Sequence, residues 1–414
     1  MIKYLRLRIG LITLIFFIIS QLSFGQNTSI LTGQDTSRRV ITTAVPFLTI
    51  APDARAGGMG DIGAATSADA AAGHWNPAKY AFIENDYGFA LSYTPWLGNI
   101  INDMSISYLS GYYKINRERT VAMSMRYFDL GEIVFTDILG TNIGQFNPRE
   151  FAIDGTYSQM LSEKMSLGVS LRYIHSNLTG NAWNSTNDAQ AGNSVAADIA
   201  WYYKKDLLLS GKNSNLSLGV AITNIGAKMT YSNDNNKEFI PTNFRTGIDF
   251  TTSLDPHNHL SFLFEFNKLL VPTPPVYEID ENGSIVYDAN GNPIIKRGKD
   301  PNRPLINSMI TSWYDAPDGF SEEMQEIMWA VGMEYWYNDL FTARAGYFHE
   351  NINKGDRKYF TVGLGFRYKV FGVDFAYLIP QKSNNPLAET LRFSLVFNFD
   401  NYKQQESITD DVKN

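Results

Sequence analysis

The chain has 414 residues, a formal net charge of −7 and no cysteine, and aromatic side chains make up 14% of it, with 23 Tyr and 26 Phe. A mildly acidic chain without a basic patch gives no support for nucleic-acid binding, and the lack of Cys excludes a disulfide framework and thiolate metal sites. The aromatic content is high for a soluble enzyme and typical of a membrane barrel with aromatic girdles.

Residues 1–25 have the pattern of a secretory signal peptide. A positively charged start precedes an apolar run from Ile9 to Leu22, and small residues predict cleavage after Gly25. The alternative, a transmembrane anchor, is disfavoured because the run is short and lacks a stop-transfer flank, and no later window reaches about 18 apolar residues. The mature chain is therefore predicted to be periplasmic, secreted or a β-barrel.

Residues 26–85 are predicted to be an N-terminal segment that ends in a plug inside the barrel. The part from Val40 to Phe82 is crowded with Ala and Gly and has neither helical nor alternating periodicity. Small side chains let this backbone lie close to the backbone of a barrel wall, and its polar groups can pair with inward-facing polar side chains. The residues expected to face the lumen are Asp53, Arg55, Asp61, Asp69, His74, Asn76 and Pro77. They are expected to form hydrogen bonds and ion pairs between plug and wall or, alternatively, to act as a ligand gate.

Residues 86–400 are predicted to form a transmembrane β-barrel of 14 antiparallel strands, an all-β fold. From Met165 to Tyr173, apolar residues alternate with Ser, Gly and Arg, which is the two-residue period of a strand with one apolar face. The same alternation recurs along the chain, and charged residues such as Arg172, Asp198 and Glu334 fall on the polar face. A soluble sandwich would show the same period, so periodicity alone does not decide between the two folds.

The predicted connections favour the barrel. They alternate between short ones, such as Ser162–Lys164, and longer ones, such as Gly131–Arg149, with Lys204–Asn215 as a stretched member of the short set. Short turns at one rim and long loops at the other are typical of outer-membrane barrels, whose long loops face outward. An even strand count then predicts that both termini are periplasmic, including a polar tail at residues 401–414.

The longest loop, residues 271–326, is predicted to be extracellular. It carries two Asn-Gly turns that indicate small hairpins, a pair of Asp-x-Asn motifs whose spacing does not fit a Ca²⁺ loop, and a short helix that begins near Ser321. Its exposed aromatics either pack within the loop or bind a protein partner. The loop residues predicted to bind partners are Trp96, Trp183, Trp313, Tyr314 and Phe320.

No catalytic residue, metal site or cofactor is predicted. The five His residues are scattered, and His257 and His259 lack a third ligand in the sequence. The chain has no nucleophile elbow, P-loop or H-E-x-x-H motif. An outer-membrane hydrolase with Ser and His on a barrel wall stays open as an alternative, but no motif selects one.

Two runs in the plug segment carry a resemblance to a known superfamily. The run from Ala54 to Ala65 and the Trp75–Ala78 motif resemble the plug of the FadL superfamily of long-chain fatty acid transporters, which are 14-stranded barrels. The longer run from Pro46 to Asp61 is similar to the PorV family, the FadL-like barrels of the type IX secretion system. One departure is the polar stretch that follows Phe399, because such barrels often end on a terminal aromatic residue.

The resemblance implies a non-enzymatic secretion component of the Gram-negative outer membrane. Such proteins are taken to bind the C-terminal domain of exported cargo, to withdraw it from a SprA-like translocon barrel, and to deliver it to a PorU-like attachment complex. Membrane lipid would surround the barrel. The rival function is uptake of hydrophobic small molecules, such as long-chain fatty acids, which would need an apolar pocket between plug and wall.

Overall fold

The alternation of side chains along the sequence translates directly into strands with an apolar outer face and a polar inner face. In the strand Met165–Asn177, Leu171 is 68% exposed while the neighbouring Arg172 is buried. Successive residues of a strand point to opposite faces, so each strand places one row outside and one row inside. The prediction that charged residues share the inner face is confirmed for Asp198 and Glu334, which are also buried.

The computed structural model describes residues 38–97, 103–136, 141–178, 190–232, 237–281, 284–381 and 390–400. The signal peptide, the predicted tail and Trp183 therefore lie outside the described residues. The strands are β1 (Tyr87–Pro95), β2 (Ser105–Lys114), β3 (Arg119–Asp129), β4 (Ile133–Thr136), β5 (Asn142–Phe146), β6 (Arg149–Ser162), β7 (Met165–Asn177), β8 (Gly192–Leu209), β9 (Lys212–Gly226), β10 (Asn243–Asp255), β11 (Asn258–Leu269), β12 (Val276–Tyr277), β13 (Ile295–Arg297), β14 (Met328–Tyr337), β15 (Phe341–His349), β16 (Lys358–Tyr368), β17 (Phe371–Pro380) and β18 (Leu391–Phe399).

Fourteen of these strands form a closed antiparallel barrel, as predicted. Each barrel strand pairs with its neighbours in the chain, and the ring closes between β1 and β18 in the order β1-β18-β17-β16-β15-β14-β11-β10-β9-β8-β7-β6-β3-β2. The closing pair runs from Tyr87 opposite Phe399 to Tyr93 opposite Phe393. The remaining strands form two small hairpins, β4–β5 and β12–β13, in the connections. Closure leaves no strand edge without a partner in the ring.

The two rims of the barrel differ in the length of their connections. At the short-turn rim the strands are joined by residues 115–118, 163–164, 210–211, 256–257, 338–340 and 369–370. At the long-loop rim they are joined by residues 96–104, 130–148, 178–191, 227–242, 270–327, 350–357 and 381–390.

The prediction of a stretched connection from Lys204 to Asn215 is wrong. β8 continues to Leu209, and β9 pairs with it from Lys212. The turn is the pair Ser210-Gly211, whose φ values of 51° and 75° suit a tight hairpin. The sequence concealed this extension because the polar run Lys204–Asp206 interrupts the apolar alternation where the hairpin projects beyond the rim.

The helices are short and lie in the N-terminal segment and the longest loop. They are α1 (Ala54–Gly57), α2 (Ala72–Trp75), α3 (Leu305–Thr311) and α4 (Phe320–Gln325), with 3₁₀ turns at Pro46–Thr49 and Pro77–Phe82. The predicted helix near Ser321 is confirmed as α4, but its N-cap is Gly319 and not Ser321. Among the described residues, no helix has the length and apolar character needed to cross a membrane.

The segment from Arg39 to Ile83 runs through the barrel from one rim to the other. Ala44–Ile50 packs with strand ends at the long-loop rim, including Phe128 at the end of β3. Further along, Ile83 packs near the short-turn end of β2, where Lys114 Nζ donates to its carbonyl oxygen at 2.7 Å. The chain then enters β1 at Tyr87 from the short-turn rim.

Candidate functional site

Arg55 of α1 is the centre of an ion-pair network between the N-terminal segment and the wall. Its Nε and Nη2 donate to the two carboxylate oxygens of Glu334 on β14, at 3.1 and 3.0 Å. Nη1 donates to Asp69 at 2.9 Å, and Nη2 donates to Ser67 Oγ at 2.7 Å. Glu334 also accepts from Arg344 of β15 at 2.8 Å. Two of the predicted lumen residues, Arg55 and Asp69, therefore meet in one network.

Asp61 and Asp53 have different partners. Asp61 accepts from Tyr359 Oη at 2.6 Å and from Arg392 Nη1 at 2.5 Å, so it binds the wall at β16 and β18. Asp53 caps α1 by accepting from the Ala56 N–H at 2.9 Å, and it accepts from Trp75 Nε1 at 2.6 Å. Asp53 therefore ties the N-terminal segment to itself and Asp61 ties it to the barrel.

Asn76 and Pro77 fix the backbone where α2 passes into the 3₁₀ turn. The Asn76 side chain donates to the carbonyl oxygens of Ala64 at 2.9 Å and of Trp201 on β8 at 3.0 Å. Its Oδ1 accepts from the Ala78 N–H at 3.0 Å, while Pro77 begins the turn. A fully buried amide that satisfies three backbone groups is a structural junction between segment and wall.

His74 lies beside the guanidinium of Arg126 on β3, which contacts its Nδ1. Arg126 Nη1 also donates to the carbonyl oxygens of Phe47 and Leu48, at 3.2 and 2.8 Å. The ring of His74 packs edge-on against Trp75 with 4.6 Å between centroids. This buried position places His74 in packing between segment and wall.

The backbone of the segment also contacts the wall directly, through hydrogen bonds to a carboxylate and through close packing against glycines. Glu265 on β11 accepts from the N–H groups of Gly63 and Ala64 at 2.9 and 2.7 Å. A Cβ on Gly219 would overlap the carbonyl of Ala64, and a Cβ on Gly346 would overlap the backbone of Met59. These glycines are needed because backbone lies directly against backbone there.

Sequence reasoning missed Lys79. Its Nζ is buried and donates to the carbonyl oxygen of Gly63 and to Thr66 Oγ1, both at 2.7 Å. The available signal was a single lysine in a segment rich in Ala and Gly, because a buried ammonium needs hydrogen-bond acceptors of this kind.

A polar cavity of about 710 Å³ lies between the segment and the short-turn rim. Its lining includes carboxylates on several elements, such as Asp69, Asp249 and Asp374, together with Arg367 and Lys204. The long-loop end of the lumen is instead filled by apolar packing around Phe47 and Leu48. The described lumen thus has a polar chamber at one end and an apolar closure at the other.

The longest loop is fastened to the rim by buried ion pairs. Lys268, at an outward position near the end of β11, donates to Glu323 and Glu326 at 3.0 and 2.5 Å. Lys354 of the connection 350–357 donates to Glu322 and Glu326 at 2.7 and 2.8 Å. Burial alone would raise the pKa of Glu322, but hydrogen bonds from Arg39 and Lys354 outweigh it and lower the pKa to about 2.

The orientation of α4 is the reverse of that of an ordinary surface helix. Its carboxylates Glu322 and Glu323 are 3% and 5% exposed, whereas Phe320 is 79% exposed and Met324 is 50% exposed. A surface helix normally buries its apolar side. The buried ion pairs therefore hold an apolar surface outward.

The predicted partner-binding aromatics differ in their surroundings. Trp313 and Tyr314 are exposed, although Trp313 packs against Phe244 of β10 with 5.5 Å between ring centroids. Trp96 instead packs against the apolar cluster at the long-loop end of the lumen. The structure thus places Trp313, Tyr314 and Phe320 on one loop and Trp96 in the closure.

Comparison with known proteins places this barrel in a family. A family model described as "Type IX secretion system protein PorV" matches residues 33–276, which is more than half of the 414-residue chain. The chain belongs to the PorV family. It is therefore an outer-membrane barrel of the type IX secretion system, and the predicted membership of the PorV family is confirmed.

Solved structures align with this PorV-family chain at low sequence identity. The Ralstonia pickettii toluene transporter TbuX is 12% identical, with 84% of this chain and 98% of that chain covered and a TM-score of 0.42. A Pseudomonas aeruginosa FadL homologue is 11% identical, with coverages of 87% and 100% and a TM-score of 0.42. No match was found among curated proteins. Within the described ranges, no cluster of three or more His, Cys, Asp or Glu residues is placed to hold a metal.

Proposed function

We propose that this PorV-family barrel binds the C-terminal domain of exported cargo, withdraws it from the translocon barrel, and passes it to the cell-surface attachment complex without catalysing a reaction. In this proposal the long loops are extracellular and the short turns are periplasmic. Family membership supports a role in type IX secretion. A lumen that is closed by apolar packing at the long-loop end suits a carrier that holds protein at its rim and not one that conducts solutes through the barrel.

The observation that carries the proposal is the apolar surface of the two loop helices. We define the loop platform as Ile306 and Ile310 of α3 with Phe320 and Met324 of α4, all of which are at least half exposed. Each pair is spaced i, i+4, so both of its side chains lie on one side of their helix. Exposed apolar side chains that are paired on ordered helices are typical of protein-binding surfaces.

The buried ion pairs beneath α4 explain why the platform stays exposed. Glu322, Glu323 and Glu326 each bond to a cation from another element, so rotation of the helix to bury Phe320 would leave several charges without partners. A surface that is already ordered loses less conformational entropy on binding. The platform is therefore preorganised for a partner.

The direct test is the affinity of the purified barrel for an isolated cargo C-terminal domain. Truncation of a central aromatic anchor costs about 2 kcal/mol, or roughly 30-fold in affinity. We expect Phe320→Ser with Met324→Ser to weaken binding by at least that factor. The matched control is Leu208→Ser, which changes an exposed apolar residue on the β8–β9 hairpin at the other rim and should leave affinity unchanged.

Unchanged affinity in a folded double variant would contradict the platform. Retention of cargo in a pull-down after deletion of residues 271–326 would contradict the role of the whole loop. Folding is checked in each case by the heat-dependent shift in gel mobility that intact barrels show.

The rival function, uptake of hydrophobic molecules, finds little support in the described lumen. Its cavity presents Asp69, Asp249 and Asp374, whereas ligand pockets for apolar molecules are lined mostly by apolar side chains. Uptake of a labelled long-chain fatty acid by proteoliposomes that contain the protein would revive that alternative. Labelling by a covalent serine probe would do the same for a hydrolase.

A further inference from the structure

The described chain begins at the same rim as the long loops. Arg39 donates from Nε and Nη2 to the two carboxylate oxygens of Glu322 on α4, at 2.8 and 2.7 Å, and also contacts Asp318. β18, in contrast, ends at Phe399 on the short-turn rim. The N-terminal segment adds one passage through the lumen to the even number of strands, and the strand count alone overlooks it.

Residues 39–50, which we call the strap, are fixed across the long-loop end of the lumen. The Ala44 N–H donates to the carbonyl oxygen of Phe239, in the connection 227–242, at 2.9 Å. Phe47 stacks on Phe128 with 6.2 Å between ring centroids, and Arg126 holds the carbonyls of Phe47 and Leu48.

Val45 shows how firmly the strap is held. It adopts φ 47° and ψ 51°, the left-handed region that is costly for a β-branched residue, and it is buried in the same apolar cluster. A residue keeps such a conformation only where the surrounding structure imposes it. The strap is thus a defined part of the rim.

The contact between Arg39 and Glu322 joins the strap to the loop platform. A bidentate guanidinium–carboxylate pair fixes orientation as well as distance, and both side chains are largely buried, at 11% and 4% exposed. Glu322 is on α4, two residues from both Phe320 and Met324, so it lies on the opposite side of the helix from them. Arg39 therefore acts with Lys268 and Lys354 to hold the apolar side of α4 outward, and of the three it alone comes from the N-terminal segment.

We propose that the strap belongs to the partner-binding face of the barrel, with Arg39 as the positioning residue that holds the apolar side of α4 toward the cargo domain. This inference rests on the proposed function for its binding part. Its topological part, that residue 40 lies on the cell-surface side, stands independently of cargo.

The topological part is tested by single-cysteine labelling. Because the sequence contains no Cys, only the introduced residue can react with the reagent. Val40→Cys, at an exposed position, should react in intact cells with a polyethylene-glycol maleimide too large to cross the outer membrane. Ser284→Cys in the longest loop is the outside control, and Lys164→Cys in a short turn is the inside control that reacts only after the membrane is opened. Labelling of Val40→Cys only after opening would overturn the placement of the strap.

The positioning role is tested with Arg39→Met. We expect about tenfold weaker binding of the cargo domain and faster hydrogen exchange at the amides of residues 320–326, with the barrel still folded. Arg39→Lys should restore part of both effects. The matched control Arg297→Met removes a half-exposed cation that contacts the same Asp318 from within the loop, and should change neither readout.

The outcomes separate the two proposals. Unchanged affinity and exchange in Arg39→Met would overturn the positioning role while the platform stands. Unchanged affinity in the variant Phe320→Ser with Met324→Ser would remove the platform, and the labelling of Val40→Cys would still decide the side of the strap.

Discussion

Replacement of Arg55 by Met should destabilise the barrel by about 3 kcal/mol. The substitution keeps most of the side-chain stem and removes a guanidinium that bonds to Glu334, Asp69 and Ser67. Removal of one partner from a buried ion pair typically costs about 3–5 kcal/mol, because the remaining charge has no compensation. The lower end applies here because Glu334 keeps Arg344 at 2.8 Å and Asp69 is partly exposed to the cavity.

The assay is equilibrium unfolding in urea, in detergent micelles or vesicles, followed by Trp fluorescence. The free energy of unfolding of Arg55→Met is compared with that of wild type and of Arg297→Met, whose half-exposed pair is expected to contribute at most about 1 kcal/mol. The double variant Arg55→Met with Glu334→Gln should recover part of the loss, since the two residues interact directly. A loss for Arg55→Met no larger than that for Arg297→Met would refute the idea that this network joins segment and wall.

Two further predictions concern packing and pH. Gly346→Leu should lower the free energy of unfolding by about 1–3 kcal/mol, because its Cβ would overlap the backbone of Met59. Gly155→Leu should be tolerated, because a Cβ at that position meets no other atom within 4 Å. Equal heat-dependent gel shifts for both variants would contradict this prediction. Acidification from pH 5 to pH 2 should loosen α4, because Glu322 has a pKa lowered to about 2 in the folded protein. Its ion pairs therefore stabilise the helix fully at pH values above the ordinary glutamate pKa near 4.5, and this stabilisation is lost as the pH falls through the pKa of the folded protein. Hydrogen exchange of residues 320–326 would show this as faster exchange at low pH, and Glu322→Gln should remove that dependence.

The strands were predictable because each one follows a local rule. Leu171 and Arg172 are adjacent in sequence, and the two-residue period alone places one on the lipid side and the other inside. The exception is the β8–β9 hairpin, where the strands project beyond the rim and no longer need an apolar face. There the turn pair Ser210-Gly211 was the better signal.

The partners of the lumen residues could not be predicted from sequence. Arg55 and Glu334 are 279 positions apart, and the closure of the ring alone brings them together. Lys268 shows a related failure, because the period of β11 places it outward and only the folded loop covers it with Glu323 and Glu326. Trp96 was predicted to bind a partner as an aromatic residue of a loop, whereas the structure packs it against the apolar closure of the lumen.

The prediction that both termini share one side depended on counting strands. It stays a prediction, because the terminal residues lie outside the described ranges. Within those ranges, Arg39 lies at the long-loop rim, and Asp400, which accepts from Asn85, lies at the short-turn rim. A segment without periodicity gave no sign of the direction in which it passes through the lumen.

The backbone donors that reach Glu265 have a consequence for engineering. The wall supplies this buried carboxylate and pairs one of its oxygens with Arg245 at 3.3 Å, but the other oxygen takes its hydrogen bonds from the N–H groups of Gly63 and Ala64. The inner surface therefore lacks these donors until the segment is in place. Deletion of residues 44–83 would therefore not by itself convert the barrel into a stable open pore. Its interior would first need new side chains to replace the amides that the wall charges now use.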